Sequence, residues 1–314
     1  MRGDQQQRAY FGTMATVKPL IKWAGGKTQL LETVLALFPA EMQNYHEPFV
    51  GGGSVLLGLL TSGKQVNGSI YASDLNPVLI GMYRNVQQYP RAVIQALKAL
   101  AADYETATAT AGTMTREAVT RAEALKHPES YYYWVRRTYN QMSDEQRQMP
   151  SGSAIFIFLN KTCFRGLYRE GPHGFNVPFG NYKKPAIVDE ANIMAVSEAI
   201  QGVVFSCQDY NASLSAVAGA ADFVYLDPPY VPEKPTSFTG YVAGGGFSCS
   251  AEHATFFEAV RGLACPFLLS NSATPSVIEG FPSPFYKTVR VSARRAIHSK
   301  EPDAVTAEVL ITRG

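Results

Sequence analysis

The run Asp222-Phe223-Val224-Tyr225-Leu226, leading straight into Asp227-Pro228-Pro229-Tyr230, constrains this chain more than any other stretch. Its apolar part has the length and flanks of a fully buried strand. Two prolines directly after it end the hydrogen-bond ladder, because neither carries an N–H. A carboxylate, a bare backbone carbonyl and an aromatic ring therefore arrive together at the carboxyl end of a sheet, where open α/β sheets bind their ligands. Taken alone, these residues also suit a strand closed by a Pro-Pro turn. What decides between the two is whether the rest of the chain supplies a partner.

Upstream, Tyr45-His46-Glu47-Pro48-Phe49-Val50 leads through Gly51-Gly52-Gly53-Ser54 into Val55-Leu56-Leu57. That is a strand, a glycine turn and a helix, the first βα unit of a Rossmann-like half, in which glycine lets a ligand approach the backbone. Further on, Ile70-Tyr71-Ala72-Ser73 ends at Asp74, an acid at the end of a second strand, placed to take a ribose hydroxyl pair. Together they point to a nucleoside-bearing cofactor. Before this unit, Gly25-Gly26-Lys27-Thr28 precedes a helical pattern at Leu30, Leu31, Val34, Leu35 and Leu37. It resembles a phosphate-binding loop but lacks that motif's leading glycine. A carboxylate-bearing ligand capped by Lys27 and roofed by Trp23 fits equally well.

From Val78 to about Leu125 the pattern is helical, with an Ala/Thr-rich patch at Ala101 to Thr113 that is expected to be a solvated loop. Residues 131–184 carry eight Lys/Arg against three acids, interleaved with aromatics and glycine turns. That balance suits a hairpin-bearing surface that meets nucleic acid. Sheet pattern resumes at Val203–Cys207, which ends at Asp209-Tyr210, and continues in the strand before Asp227. A glycine-rich loop follows (Ser237 to Tyr241, Gly244 to Phe247), of the kind that forms lids. Then come a helix at 251–262, a strand at Pro266 to Asn271, and two antiparallel strands, Lys287 to Val291 and Ala307 to Thr312, with Arg294 and Arg295 in the turn between them.

Composition narrows the class. The 314 residues are 46% apolar and 17% charged, as in globular proteins, and the net charge of +2 does not by itself imply nucleic acid. Cys163, Cys207, Cys249 and Cys265 form no C-x-x-C pair, which argues for reduced thiols in a cytoplasmic setting and against a zinc site. No apolar run approaches a membrane span of about 20 residues. Residues 1–17 read as a flexible arm, with Met14 as an alternative start; the oligomeric state is left open.

Taken in order, these motifs resemble the Dam-type DNA adenine-N6 methyltransferases (D12 class, group alpha). The likeness runs from Lys18 to about Ser299 and rests on five blocks: Lys22 to Lys27, Phe49 to Ser54, Asn160 to Arg169, Phe175 to Tyr182 and Asp227 to Tyr230. It implies an α/β fold: a Rossmann-like S-adenosylmethionine-dependent methyltransferase sheet with an inserted, mostly helical target-recognition domain carrying a β-hairpin. Residues 18–80 and 200–314 would form the catalytic domain and 81–199 the recognition domain. S-adenosylmethionine would contact Trp23, Lys27, Phe49, Gly51, Asp74, Asp209 and Asp227, with no metal. Double-stranded DNA would meet Lys22, Asn160, Lys161, Leu167, Arg169, Asn176, Pro178, Tyr182 and Lys183, while Phe164 and Arg165 would lie near the gap left by a flipped base. Two departures stand out: Arg165 replaces the Asn of the best-known Dam enzymes, and Asn181 replaces their Arg.

Independently of the family, the chemistry suits an exocyclic amine. Adenine N6 is a poor nucleophile because its lone pair is delocalised into the ring. Accepting its two N–H hydrogens at the Asp227 carboxylate and the Pro228 carbonyl favours a pyramidal nitrogen, with Pro229 holding the backbone and Tyr230 stacking on the base. A GATC or other GA-containing target is expected from Arg169 and Lys22. The rival readings are a protein-glutamine or small-amine methyltransferase and a catalytically silent DNA-binding protein.

Overall fold

The computed structural model describes residues 17–110, 112–232, 247, 250–294 and 305–313. The arm at 1–16, most of the glycine-rich loop and Arg295 lie outside the described residues. One sheet holds seven strands: β1 (Tyr45–Glu47), β2 (Ile70–Asp74), β3 (Val203–Cys207), β4 (Phe223–Leu226), β5 (Phe267–Ser272), β6 (Tyr286–Arg294) and β7 (Val305–Arg313). Their order is β3-β2-β1-β4-β5-β7-β6. The first five are parallel, and β7 is antiparallel to both neighbours. Arg294 thus corrects the expectation of a turn residue: it closes β6 opposite Val305, because the β-branched and apolar alternation carries the ladder that far.

β4 shows why the strand before Asp227 has no polar face. Phe223 and Tyr225 enter one buried cluster, while Val224 and Leu226 enter the cluster on the other face. The strand order reverses between β1 and β4, which pair directly at Tyr45–Phe223 and His46–Val224. At such a point the chain leaves the two strands toward opposite faces, and a crevice opens beyond their carboxyl ends. The glycine turn follows β1 and Asp227 follows β4, so both motifs reach the crevice from distant parts of the chain.

Helices α1 (Leu31–Ala36) and α2 (Ser54–Thr61) pack on each other beside the sheet. α3 (Pro77–Gln88) starts under an Asn76 cap whose side chain accepts from the N–H groups of Val78 and Leu79, with Pro77 at its first position. It runs unbroken across the expected boundary at residue 80.

α4 (Pro90–Ala109) overturns the solvated loop expected at Ala101 to Thr113, since residues through Ala109 are helical. Alanine is the best helix former, and the threonine hydroxyls bond back to carbonyls one turn earlier, as Thr106 does to Ala102 and Thr108 to Tyr104. Tyr104 and Ala107 are buried. α5 (Pro128–Gln141) buries Tyr131, Tyr132 and Tyr133, so these aromatics are core and not part of a nucleic-acid surface as the basic-aromatic pattern suggested. The apolar run at 154–159 lies in α6 (Pro150–Thr162). A two-residue antiparallel pair, Glu170–Gly171 with Gly174–Phe175, makes the expected hairpin, turning at Pro172-His173. α7 (Glu190–Ala199) returns the chain to the sheet, where α8 (Tyr210–Ser215) and α9 (Ser250–Arg261) follow β3 and β4.

Candidate active site

At the crevice, buried Lys27 and half-buried Asp227 form an ion pair, Nζ to Oδ2 at 2.8 Å. The same ammonium donates to the Gly25 carbonyl at 2.7 Å, and the Lys27 N–H donates to Ser54 Oγ at 3.0 Å. Ser54 opens α2, so the segment around Lys27 is fastened to the glycine turn. α1 begins only at Leu31, and the ammonium is engaged by Asp227, so the phosphate-loop reading fails here. Burial pushes the Asp227 carboxyl above its ordinary range, and the Lys27 ammonium opposes that rise. Its Oδ1 is buried and accepts no hydrogen bond among the described residues.

The Tyr230 ring lies 5.0 Å from the Lys27 ammonium, and its hydroxyl donates to Glu308 Oε2 at 2.9 Å. Beyond it, Val231 is held by the end of β5: its N–H donates to Asn271 Oδ1 at 3.0 Å, and its carbonyl accepts from Ser272 Oγ at 2.7 Å.

On the β1 side the glycine turn is locked to the end of β2. Asp74 accepts from the Gly51 N–H at 3.1 Å and the Asn76 N–H at 2.9 Å, while the Tyr83 hydroxyl donates to the Gly51 carbonyl at 2.9 Å. Burial raises Asp74 to about 6 despite these bonds. Gly51 (φ 48°) and Gly53 (φ 72°) occupy the left-handed region. A Cβ on Gly51 would fall 2.9 Å from the Trp23 ring, and one on Gly53 would fall 2.6 Å from the Tyr83 hydroxyl. Phe49 stacks on Tyr210 at 5.9 Å and meets Phe247 and Phe256 edge-on. Asp209 caps α8 through a 2.8 Å bond from the Ala212 N–H.

Glu47 was given no role in the sequence reading, although an acid ending a strand read as the first of a Rossmann-like half was its signal. It is buried and accepts from the Tyr45 hydroxyl at 2.7 Å. Burial pushes it up to about 8; the Tyr45 bond opposes this and the Asp227 charge adds to it. The folded state therefore keeps a proton that the unfolded chain releases above its ordinary value of 4.5. Stability from this group is complete below that value and declines as pH rises through about 8. Glu47→Gln is expected to match wild type near the low end of this window and to melt at a higher temperature at the high end. Parallel melting curves across the window would contradict this.

Several of the expected DNA-facing residues are linked to one another by short contacts. Asn160 is buried; its amide donates to the carbonyls of Lys22 at 2.8 Å and Gly166 at 2.9 Å and accepts from the Lys22 N–H at 2.9 Å. It orients Lys22 and has no N–H left for a phosphate. The Lys22 ammonium lies 5.4 Å from the Tyr182 ring. Arg169 Nε donates to Asn176 Oδ1 at 2.6 Å, across the hairpin. Phe164 is exposed and its N–H donates to the Pro178 carbonyl at 2.8 Å; Pro178 and Lys183 are also exposed, while Leu167 and Tyr182 are half-buried. Lys161 is half-buried, and burial lowers its pKa. Trp23 stacks on Tyr168 at 5.5 Å, so residues 22–27 lead from Lys22 directly to the Lys27–Asp227 pair.

Arg165 (φ 58°) and Asn181 (φ 51°), the two departures, are the two described non-glycine residues in the left-handed region. Asparagine tolerates that region better than arginine. Glu308, Asn271 and Ser272 were also missed. A lone acid in the apolar run of β7 and polar residues ending β5 were the available signs.

Residues 23–297 match the family described as D12 class N6 adenine-specific DNA methyltransferase. The type II methyltransferase M.MjaIII of Methanocaldococcus jannaschii is 38% identical over 296 residues, covering 90% of this chain and 94% of that protein. The DNA adenine methylase of Escherichia coli is 32% identical over 291 residues, 90% of each chain. That of Haemophilus influenzae is 29% identical over 300 residues, 94% of this chain and 92% of its own.

Proposed function

The chain belongs to the D12 class of N6 adenine-specific DNA methyltransferases, and from that premise we propose that it methylates an adenine flipped out of duplex DNA at a GATC or other GA-containing site. Family membership sets aside the glutamine and small-amine alternatives, and the intact Asp227 to Tyr230 and Lys27 speak against a silent binder. The class depends on S-adenosylmethionine, which, when bound, supplies the electrophilic methyl group. The residues present suit it: a glycine turn so close to Trp23 that a Cβ at Gly51 would collide, an acid at Asp74 for ribose hydroxyls, and an aromatic wall at Phe49 and Tyr210. Trp23, Lys27, Phe49, Gly51, Asp74 and Asp209 are its proposed contacts.

One observation carries the catalytic reading: half-buried Asp227 has one oxygen paired to Lys27, while its other oxygen is buried without a hydrogen bond among the described residues. A buried acceptor in that state calls for a donor, and an adenine amine brings two N–H groups. One goes to Asp227 Oδ1 and the other to the Pro228 carbonyl, which localises the nitrogen lone pair for attack on the methyl. A neutral amine is far too weak an acid for Asp227 to deprotonate beforehand. The N–CH3 bond would therefore form as the methyl's bond to sulfur breaks, with S-adenosylhomocysteine as the leaving group; N6 becomes cationic, and one of its protons then leaves by way of Asp227. Tyr230 holds the base ring after flipping, which itself costs a few kcal/mol.

For target reading, the part of residues 81–199 that follows α3 acts as the recognition unit. Lys22, Leu167, Arg169, Pro178 and Tyr182 face base edges; Lys161, Asn176 and Lys183 meet the backbone; Phe164 and Arg165 fill the gap. A bidentate guanine contact by Arg169 would give about 1–3 kcal/mol of discrimination, and requires its bond to Asn176 to rearrange. Duplex DNA methylated by the protein and then sequenced for modified adenines tests the site: modification confined to GA steps is expected. Modified adenines outside any GA step would sink it.

A further inference from the structure

We propose that Glu308 is a positioning residue for methyl transfer, fixing the tilt of the Tyr230 ring from a strand that joins the site only through the fold. The proposal rests on the reading that Tyr230 holds the target base. The Tyr230 hydroxyl donates to Glu308 Oε2 at 2.9 Å across 78 residues of chain. Burial, with the carboxylates of Asp227 and Glu308, keeps the phenol well above its ordinary pKa, so it stays a donor. Hydrogen bonds to a charged acceptor are stronger than neutral ones.

The sheet register shows why this pairing is a device and not a chance contact. Glu308 on β7 lies opposite Ser272 on β5, and Val309 lies opposite Asn271. Asn271 and Ser272 grip the backbone of Val231 while Glu308 grips the side chain of Tyr230. Two adjacent strands thus hold two consecutive residues, one by its peptide groups and one by its ring. Next in β7 come Val309, Leu310 and Ile311, all buried. A carboxylate ending that run is costly unless it has a partner, and the half-buried Glu308 has one in Tyr230. Without it, the ring retains the Lys27 ammonium at 5.0 Å and the neighbouring Asp227 carboxylate, but loses its tie to β7.

The test uses the full chain, single-turnover methyl transfer to a duplex with adenine at the target, and a separate duplex with 2-aminopurine at that position to report flipping. Glu308→Ala and Tyr230→Phe are each expected to slow transfer roughly tenfold, the loss of one charge-assisted bond, with KM for S-adenosylmethionine unchanged. The double variant should be no slower than either single. Glu308→Gln, which can still accept from the phenol, should recover to within about twofold of wild type, and the 2-aminopurine signal on flipping should change in Glu308→Ala but not in Glu308→Gln. A wild-type rate in Glu308→Ala, multiplying effects in the double variant, or a Gln variant as slow as Ala would overturn the proposal. If Glu308→Ala fails to fold, Tyr230→Phe carries the test, and a wild-type rate there overturns it. Tyr230→Ala separates the two levels: if it leaves transfer and flipping intact, the reading of Tyr230 itself fails.

Discussion

Asp227→Ala is expected to lower single-turnover methyl transfer by more than about tenfold and up to about a hundredfold, with S-adenosylmethionine binding weakened far less. A hydrogen bond to a charged acceptor contributes about 1.5–3 kcal/mol, and each 1.36 kcal/mol off the barrier is tenfold in rate. The bond should strengthen as N6 becomes cationic, so its loss falls on the chemical step and not on uniform binding. The variant also leaves the buried Lys27 ammonium without its 2.8 Å partner, which disturbs the site further. Asp227→Asn separates the two effects: it keeps an acceptor but not the charge, and should fall between wild type and alanine. Transfer of labelled methyl groups to duplex DNA measures all three. An alanine variant within tenfold of wild type would remove Asp227 from the chemistry.

Lys27→Met should be nearly as damaging, and its signature is in the pH dependence. In the folded protein burial raises Asp227 and the ammonium restrains that rise. Removing the ammonium lets the carboxyl climb further, so the ionised form needed to hold the amine appears only at higher pH. The acidic limb of kcat should shift upward, with the maximal rate also reduced. Stability follows the same sign. Below the ordinary carboxylate range Asp227 is protonated folded and unfolded alike, and the loss of Lys27 matters little. As pH rises through the raised folded value, the variant must carry an unpaired buried anion, and its deficit grows toward about 3–5 kcal/mol, the scale for breaking a buried pair. Melting curves at pH 4 and pH 8, together with kcat against pH, check this. An unmoved acidic limb would mean that Lys27 acts on the cofactor alone.

Much of the site was legible in the sequence because its parts are local. A double proline after an apolar run, glycines between a strand and a helix, and an acid ending the next strand each report a backbone condition set by neighbouring residues. The order of those parts added specificity. What misled were stretches whose composition suits two environments. Ala101 to Ala109 has the small and polar residues of a surface loop, but alanine propensity and threonine back-bonding make it helix. Tyr131 to Tyr133 sits beside arginines and reads as a binding surface, yet neighbours pack on more than one side of their helix and bury all three rings.

By itself, then, the sequence determined the strands, the turns and the candidates for the chemistry, since short-range sterics and hydrogen bonding act within a few positions. Only the tertiary structure decided which of them meet. Reversal of strand order between β1 and β4 brings Lys27 to Asp227, and the β5–β7 register brings Glu308 to Tyr230. The physical reason is that sheet pairing depends on which buried faces can be covered together, a property of the whole core. The pairing of a lysine with an aspartate two hundred positions away leaves no mark on the residues around either one.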